Sequence, residues 1–115
     1  MPHYLLQAAY TPDAWQSMVK NPHNRIEAVR PAIEQLGGKL IGGWSAFGDY
    51  DTILIAELPT SVDAAALAIA AAAGGSCRAV KTTPLLTAQE AVEAAKRAST
   101  SGYKPVAASA AAARP

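Results

Sequence analysis

The segment Gly48-Asp49-Tyr50-Asp51 constrains the fold of this chain most, because it joins two stretches that favour β-structure. The first stretch is Lys39–Ser45, and the second covers residues 50–58. Glycine relaxes the backbone where a chain reverses, and aspartate side chains bond to the backbone of the turn. The two stretches are therefore predicted to pair as an antiparallel hairpin around a turn at residues 46–49. Residues 53–56 are apolar without alternation, which favours a central position for the second strand.

Hydrophobic periodicity and helix-terminus signals locate the other elements. Apolar residues recur at intervals of three and four between Ile26 and Leu36, which indicates one face of a helix that ends before Gly37. Thr87 and Glu90 have the spacing of a capping box at a helix start. Besides the hairpin, the predicted elements are a strand at 4–10, a helix at 14–19, a helix from 22 or 23 to 36, a helix at 62–73, a strand at 77–83 and a helix at 87–98.

This order, βαββαβ followed by a terminal helix, predicts an α+β, ferredoxin-like fold with a four-stranded antiparallel sheet and two helices on one face. Residues 1–98 are assigned to this domain. Residues 99–115 are rich in Ala, Ser and Pro and are predicted to form a flexible tail, because they lack the side chains of a core. Both sides of the first strand are apolar, so the open face of the sheet is expected to be covered by a second copy of the chain.

The amino-acid composition argues against nucleic-acid and membrane partners and bears on where the protein is located. The 115 residues suit one domain, and a net charge of +1 provides no field that would attract nucleic acid or an anionic membrane. Cys77 is the single cysteine and cannot form an internal disulfide, which is compatible with a reducing compartment. No signal-peptide pattern is visible, and the longest apolar run, residues 64–73, is too short to span a bilayer. A cytoplasmic protein is therefore expected.

Four stretches of the chain occur together in a known pattern: Tyr10-Thr11-Pro12, Gly37-Gly38-Lys39, Gly48-Asp49-Tyr50-Asp51 and the helix-then-strand pattern of residues 63–83. In combination they resemble the GYD-domain family, small bacterial proteins related to the dimeric α/β-barrel superfamily. The resemblance covers roughly residues 3–93. The turn reads Gly-Asp-Tyr-Asp here, whereas the family signature is Gly-Tyr-Asp.

The resemblance implies a dimeric α/β barrel, in which the sheets of a homodimer face each other. It implies no settled activity, because the superfamily includes cofactor-free monooxygenases, haem enzymes and non-catalytic ligand binders.

Aromatic and carboxylate side chains near the hairpin are the candidate ligand-binding residues. Tyr50 can donate a hydrogen bond to a ligand, and Asp49 or Asp51 can orient it or accept a proton. Trp44 stands beside two glycines and offers an indole on which a flat ligand can stack. Tyr4 is expected to line the same pocket, between the sheet and the helices.

The same residues also have structural interpretations. The aspartates can satisfy backbone groups of the turn, and Trp44 can be a core or interface aromatic. His23 is either a base or a solvated surface histidine. Cys77 is expected to be buried rather than nucleophilic.

Metal and cofactor sites are not predicted. The two histidines lack a metal-ligand spacing, and no Gly-rich phosphate-binding motif is present. Arg25, Arg30 and Arg78 could clamp an anionic ligand, or they could occupy solvated faces.

The leading hypothesis is a small homodimer, or a higher oligomer of dimers, that binds an apolar or aromatic molecule. The main alternative is a cofactor-independent oxygenase or isomerase with Asp51 or His23 as base and Tyr50 as hydrogen-bond donor. A third hypothesis, suggested by the Ala-rich tail and the apolar surfaces, is a structural or adaptor subunit of a larger assembly.

Overall fold

Four strands and four helices make up residues 1–106, the part of the chain that the computed structural model describes. In chain order they are β1 (His3–Tyr10), α1 (Pro12–Lys20), α2 (Arg25–Gln35), β2 (Lys39–Ser45), β3 (Thr52–Glu57), α3 (Ser61–Ala73), β4 (Cys77–Leu85) and α4 (Ala88–Ser99). The chain divides into two compact units. Met1–Leu85 contains the sheet with α1 to α3, and α4 belongs to the unit that starts at Leu86.

The strands form one antiparallel sheet in the order β2-β3-β1-β4. This order confirms the predicted α+β, ferredoxin-like fold. β2 and β3 pair as the predicted hairpin, and β3 lies at the centre beside β1, as its unbroken apolar sequence indicated.

Side-chain caps set where the first two helices begin. The Thr11 hydroxyl accepts the Ala14 N–H at 3.1 Å at the start of α1. The Asn24 Oδ1 accepts the Glu27 N–H at 3.0 Å, so α2 begins at Arg25 and not at residue 22 or 23 as predicted.

β3 begins at Thr52, two residues later than predicted, because Asp51 belongs to the connecting loop. The Asp51 N–H donates to the Ala8 carbonyl at 2.9 Å, and the Asp51 carbonyl accepts the Ala46 N–H at 2.9 Å. These two bonds tie the end of the loop to β1 and to the end of β2.

α4 is the predicted terminal helix, and the capping box expected at Thr87 and Glu90 is present. α4 ends at Ser99, and residues 107–115 of the predicted tail lie outside the described residues. The division into residues 1–98 and 99–115 stays a prediction. Within residues 1–106, no helix has the length and apolar character needed to cross a membrane.

The core lies between one face of the sheet and the helices α2 and α3. Alternation along β3 buries Thr52, Leu54 and Ala56 on this face and leaves Ile53 and Ile55 half-buried on the other. The buried cluster consists of Tyr4, Leu6, Ile33, Leu40, Leu54, Ala56, Leu58, Ala64 and Leu67.

Two glycines of the β2 region permit close packing against this core. A Cβ at Gly43 would lie 2.7 Å from Cγ2 of Ile26, so the missing side chain lets α2 approach β2. A Cβ at Gly38 would lie 2.3 Å from the Glu57 carbonyl oxygen and 2.7 Å from Cδ2 of Leu58. Since the first of these atoms belongs to the backbone, it cannot rotate away.

We expect Gly38→Ala to lower the free energy of unfolding by about 2–3 kcal/mol, because the added methyl group overlaps a backbone oxygen. Gly48→Ala is the matched control, since a Cβ there meets no atom within 4 Å. We expect the control to change stability by less than about 0.5 kcal/mol. Urea unfolding followed by circular dichroism measures both, and equal stability of the two variants would contradict the packing described.

Candidate functional site

A cavity of about 300 Å³ lies between the sheet and the helices α2 and α3. Its volume is at the lower end of the range of about 300–1,000 Å³ found for small-molecule sites. The lining residues are Leu6, Gln7, Ala8, Tyr10, Arg25, Ala28, Val29, Ala32, Thr52, Leu54, Leu67, Ala68, Ala70, Ala71, Gly74, Ser76, Cys77 and Val80. The cavity is therefore mostly apolar and suits a compact ligand.

Short side chains on α3 leave this space open. Apart from alanines, the middle of α3 carries two large apolar residues, Leu67 and Ile69. Leu67 is buried against the sheet, whereas Ile69 is 67% exposed and contributes nothing to the wall. A methyl group cannot fill the gap between a helix and a sheet as a branched side chain does.

Two hydroxyl groups meet at one end of the cavity. The Tyr10 hydroxyl, at the end of β1, forms a hydrogen bond with the Thr52 hydroxyl, at the start of β3. Thr52 is only 6% exposed, so this bond satisfies a buried polar group. The Tyr10 ring also packs edge-on against Trp15 of α1, with 5.5 Å between ring centroids.

The Asp51 carboxylate holds the backbone beside this pair. Its Oδ2 accepts the Tyr10 N–H at 2.9 Å, at the point where the register of β1 with β4 shifts between Ala9 and Tyr10. A backbone irregularity frees an N–H from the strand ladder, and the carboxylate supplies the missing acceptor. The Asp51 carboxylate therefore has a structural role, although its partner is the backbone of β1 and not the backbone of the turn, as the structural interpretation expected.

Two further recesses share Tyr10 and Arg25 with the lining of the cavity. One recess, of about 130 Å³, is lined by Ser76 and is called the Ser76 recess. The other, of about 340 Å³, is lined by Asp51 and is called the Asp51 recess. Both are also lined by Tyr10, His23 and Arg25. Nδ1 of His23 lies 3.0 Å from the Asn21 carbonyl oxygen, and Nε2 lies 3.3 Å from Nη1 of Arg25. Since arginine only donates, this pairing places the imidazole proton on Nδ1 and leaves Nε2 as the acceptor.

Cys77, the first residue of β4, also lines the cavity. Burial raises the pKa of the Cys77 thiol, and the positive charge of Arg25 partly opposes that shift. The raised pKa lowers the thiolate fraction of Cys77 at neutral pH, although the residue is half-buried and not fully buried as predicted.

The model of the GYD domain family matches residues 4–95, which span the sheet, the helices α1 to α3 and most of α4. The chain belongs to the GYD domain family. A comparison with curated proteins found no match.

Two solved structures share the fold of this GYD domain. MtbAldR has a TM-score of 0.51 at 14% identity, over 75% of this chain and 52% of its own. The GYD domain protein thus spans about half the length of MtbAldR. TTHA0845 from Thermus thermophilus has a TM-score of 0.50 at 15% identity, over 76% of this chain and 96% of its own. At such low identity these likenesses show the fold alone.

Tyr4 and Trp44 lie on opposite faces of the GYD domain sheet. Tyr4 is 4% exposed and belongs to the core beneath the helices. Trp44 pairs with Ile53 on the other face, is 57% exposed, and lies over Gly42, where a Cβ would come within 3.0 Å of the indole. One pocket cannot contain both side chains, so the sheet separates two of the predicted ligand-binding residues.

The residues of the GYD motif lie in different environments. Asp51 lines the Asp51 recess together with His23, so the structure does bring these two predicted residues together. Asp49 is exposed and Tyr50 is half-buried, and neither is among the residues that line the cavity or its two recesses. A ligand-binding or catalytic role for these four residues stays a prediction.

The most central lining residues of the GYD domain cavity were missed by the sequence interpretation. The sequence marks Tyr10 as the end of a strand and as part of the Tyr10-Thr11-Pro12 stretch of the family pattern, and it gives Thr52 no role. Arg25 was one of three candidate arginines with nothing to distinguish it. The signal that could have located the cavity is the run of alanines from residue 64 to residue 73, which predicts a thinly packed helix–sheet interface. Within residues 1–106, no group of three or more His, Cys, Asp or Glu is arranged to hold a metal ion.

We expect Tyr10→Phe to lower the free energy of unfolding by about 1–2 kcal/mol, because it leaves the buried Thr52 hydroxyl without a partner. The double variant Tyr10→Phe/Thr52→Val removes both hydroxyls and should recover most of this loss. A double-mutant cycle in urea measures the coupling. If the two losses simply add, the hydrogen bond described here does not contribute to stability.

Proposed function

We propose that this GYD domain protein binds a small apolar or aromatic molecule in the cavity between its sheet and the helices α2 and α3. The cavity carries this proposal, because it is enclosed on one side by the sheet and on the other by two helices, and its walls are mainly short apolar side chains. An apolar molecule that enters it gains roughly 25 cal/mol for each Å² of its surface removed from water. Walls that stand in place before binding also reduce the entropic cost of association.

The polar groups at one end of the cavity give a ligand an orientation. The polar groups of the lining belong to Gln7, Tyr10, Arg25, Thr52, Ser76 and Cys77, and the other lining residues are alanine, glycine, leucine and valine. Pockets that combine apolar walls with a few polar groups select ligands with one polar substituent. The proposed ligand therefore lies with its apolar body between the helices and its substituent towards β1 and Arg25.

A cavity-filling variant tests this proposal. Ala68 lines the cavity, so Ala68→Leu should occupy it and weaken binding about tenfold or more. Ala65→Leu is the matched control, since Ala65 is exposed on the same helix. Calorimetric titration with indole, phenol and hexanol measures the affinities.

The reactivity of Cys77 provides an independent readout of the same test. Cys77 is the only cysteine and lines the cavity, so a bound molecule should slow its alkylation by N-ethylmaleimide severalfold. Protection should be lost in Ala68→Leu and retained in Ala65→Leu. Unchanged alkylation at saturating concentrations of every compound would contradict the proposal.

We also propose that two copies of the chain associate through the sheet face opposite the helices. Ile55 pairs with Leu5 in the middle of this face, Ile53 is their neighbour, and Trp44 is largely exposed beside it. An apolar surface of this kind is unfavourable in water and often marks an interface between subunits. A two-fold symmetric contact would cover the face on both copies at once.

We expect the wild-type protein to sediment with twice the 11.9 kDa mass of one chain. Trp44→Lys should weaken self-association about tenfold or more, because it places a charge inside the proposed apolar interface. Val62→Lys is the matched control, since Val62 is 75% exposed on α3, a helix that packs on the other side of the sheet. Analytical ultracentrifugation over a range of concentrations checks both, and a wild-type protein of single-chain mass throughout would contradict the dimer.

A further inference from the structure

Arg25 presents a guanidinium group to the cavity without a carboxylate partner. The residue is half-buried at the start of α2, and it lines the cavity as well as both adjoining recesses. Within residues 1–106, no carboxylate lies within ion-pair distance of it, and its one side-chain hydrogen bond is the 3.3 Å contact with the His23 ring. A half-buried guanidinium with unused donors favours an anion.

Arg30 shows how the same side chain behaves when it has a partner. Five residues further along α2, the Arg30 Nε and Nη2 donate to the two Glu27 carboxylate oxygens at 2.8 and 2.9 Å. This pair lies on the exposed side of the helix, and Arg30 lines neither the cavity nor its recesses. Of the three arginines considered from the sequence, Arg25 is thus the one that the fold directs to the cavity.

Neutral hydroxyl side chains accompany Arg25 in the lining of the cavity. Tyr10 and Ser76 line the cavity together with Arg25, and all three also line the Ser76 recess. The Asp51 carboxylate lines the other recess and already accepts the Tyr10 N–H. Its negative charge would repel an anion from that side, so the favourable position lies towards Arg25 and Ser76.

We infer that the molecule bound in this cavity is a small monocarboxylate with an apolar body, and that its carboxylate is bound by Arg25. The inference rests on the proposed function, because it assigns the chemical class of the ligand for that cavity. A planar carboxylate matches the two parallel donors of a guanidinium group, which gives both strength and orientation. The apolar body then contacts the alanines of α2 and α3.

The experiment compares matched pairs of ligands that differ only in charge. Hexanoate is compared with hexanamide, and phenylacetate with phenylacetamide, by calorimetric titration and by protection of Cys77 from alkylation. Wild-type protein should bind each carboxylate roughly tenfold to a hundredfold more tightly than its amide, the range of a charge-assisted hydrogen bond. Arg25→Gln should remove that preference while leaving the affinity for the amides within about twofold.

Two further variants separate a direct contact from a general effect of charge. Arg25→Lys should retain part of the preference, because it keeps the charge but loses the paired donors. Arg30→Gln removes the same charge from the same helix and should leave the preference unchanged.

The outcomes distinguish this inference from the function on which it rests. If hexanamide and phenylacetamide bind and protect Cys77 as well as the acids do, the cavity is a ligand site without carboxylate preference, and the inference is overturned alone. An equal loss of preference in Arg30→Gln and Arg25→Gln would overturn the contact with Arg25. If none of the four compounds binds or protects Cys77, the proposed function and the inference are both overturned.

Discussion

α3 presents mainly alanine to the sheet, and the candidate site depends on this one constraint. A helix usually closes the space above a sheet with branched side chains, but here Leu67 is the one large apolar residue of α3 buried against the sheet. The side chains of α2 pack closely against the sheet near β2. Ile33 is fully buried, and Ile26 occupies the space that a Cβ at Gly43 would need. The core is therefore dense between α2 and β2, and the cavity lies where α2 and α3 face the strands β1, β3 and β4. A cavity in that place follows from the size of the side chains.

The GYD motif lies outside the cavity and stabilises the strands that line it. The Asp51 side chain binds the Tyr10 N–H, and the Asp51 backbone binds Ala8 and Ala46, so one residue joins β1 to the hairpin. This positions the Tyr10 hydroxyl to meet that of Thr52 at the polar end of the cavity. The motif thus has a structural explanation that needs no catalysis.

The sequence predicted the fold closely because the signals for it are local. Caps at Thr11, Asn24 and Thr87 determine where helices begin, and the hairpin is determined by the turn between two apolar stretches. The predicted start of α2 was wrong by two or three residues, and the hydrogen bond of the Asn24 cap explains that difference. The candidate site was predicted much less well. The aromatic residues chosen from the sequence, Tyr4 and Trp44, are separated by the sheet, since nothing local indicates which face a residue of a doubly apolar strand will occupy.

By itself, the sequence determined the order and type of the elements, and with them the family, because periodicity, caps and turns act between residues a few positions apart. Only the tertiary structure decided which side chains meet. Tyr10 and Thr52 are 42 positions apart, and Asp51 binds an N–H 41 positions away. These contacts depend on strand register, in which a shift of one residue would turn each side chain to the opposite face of the sheet. The cavity beside them is lined by β1, β3, β4, α2 and α3 together, and the pattern of apolar residues alone does not encode how these elements meet.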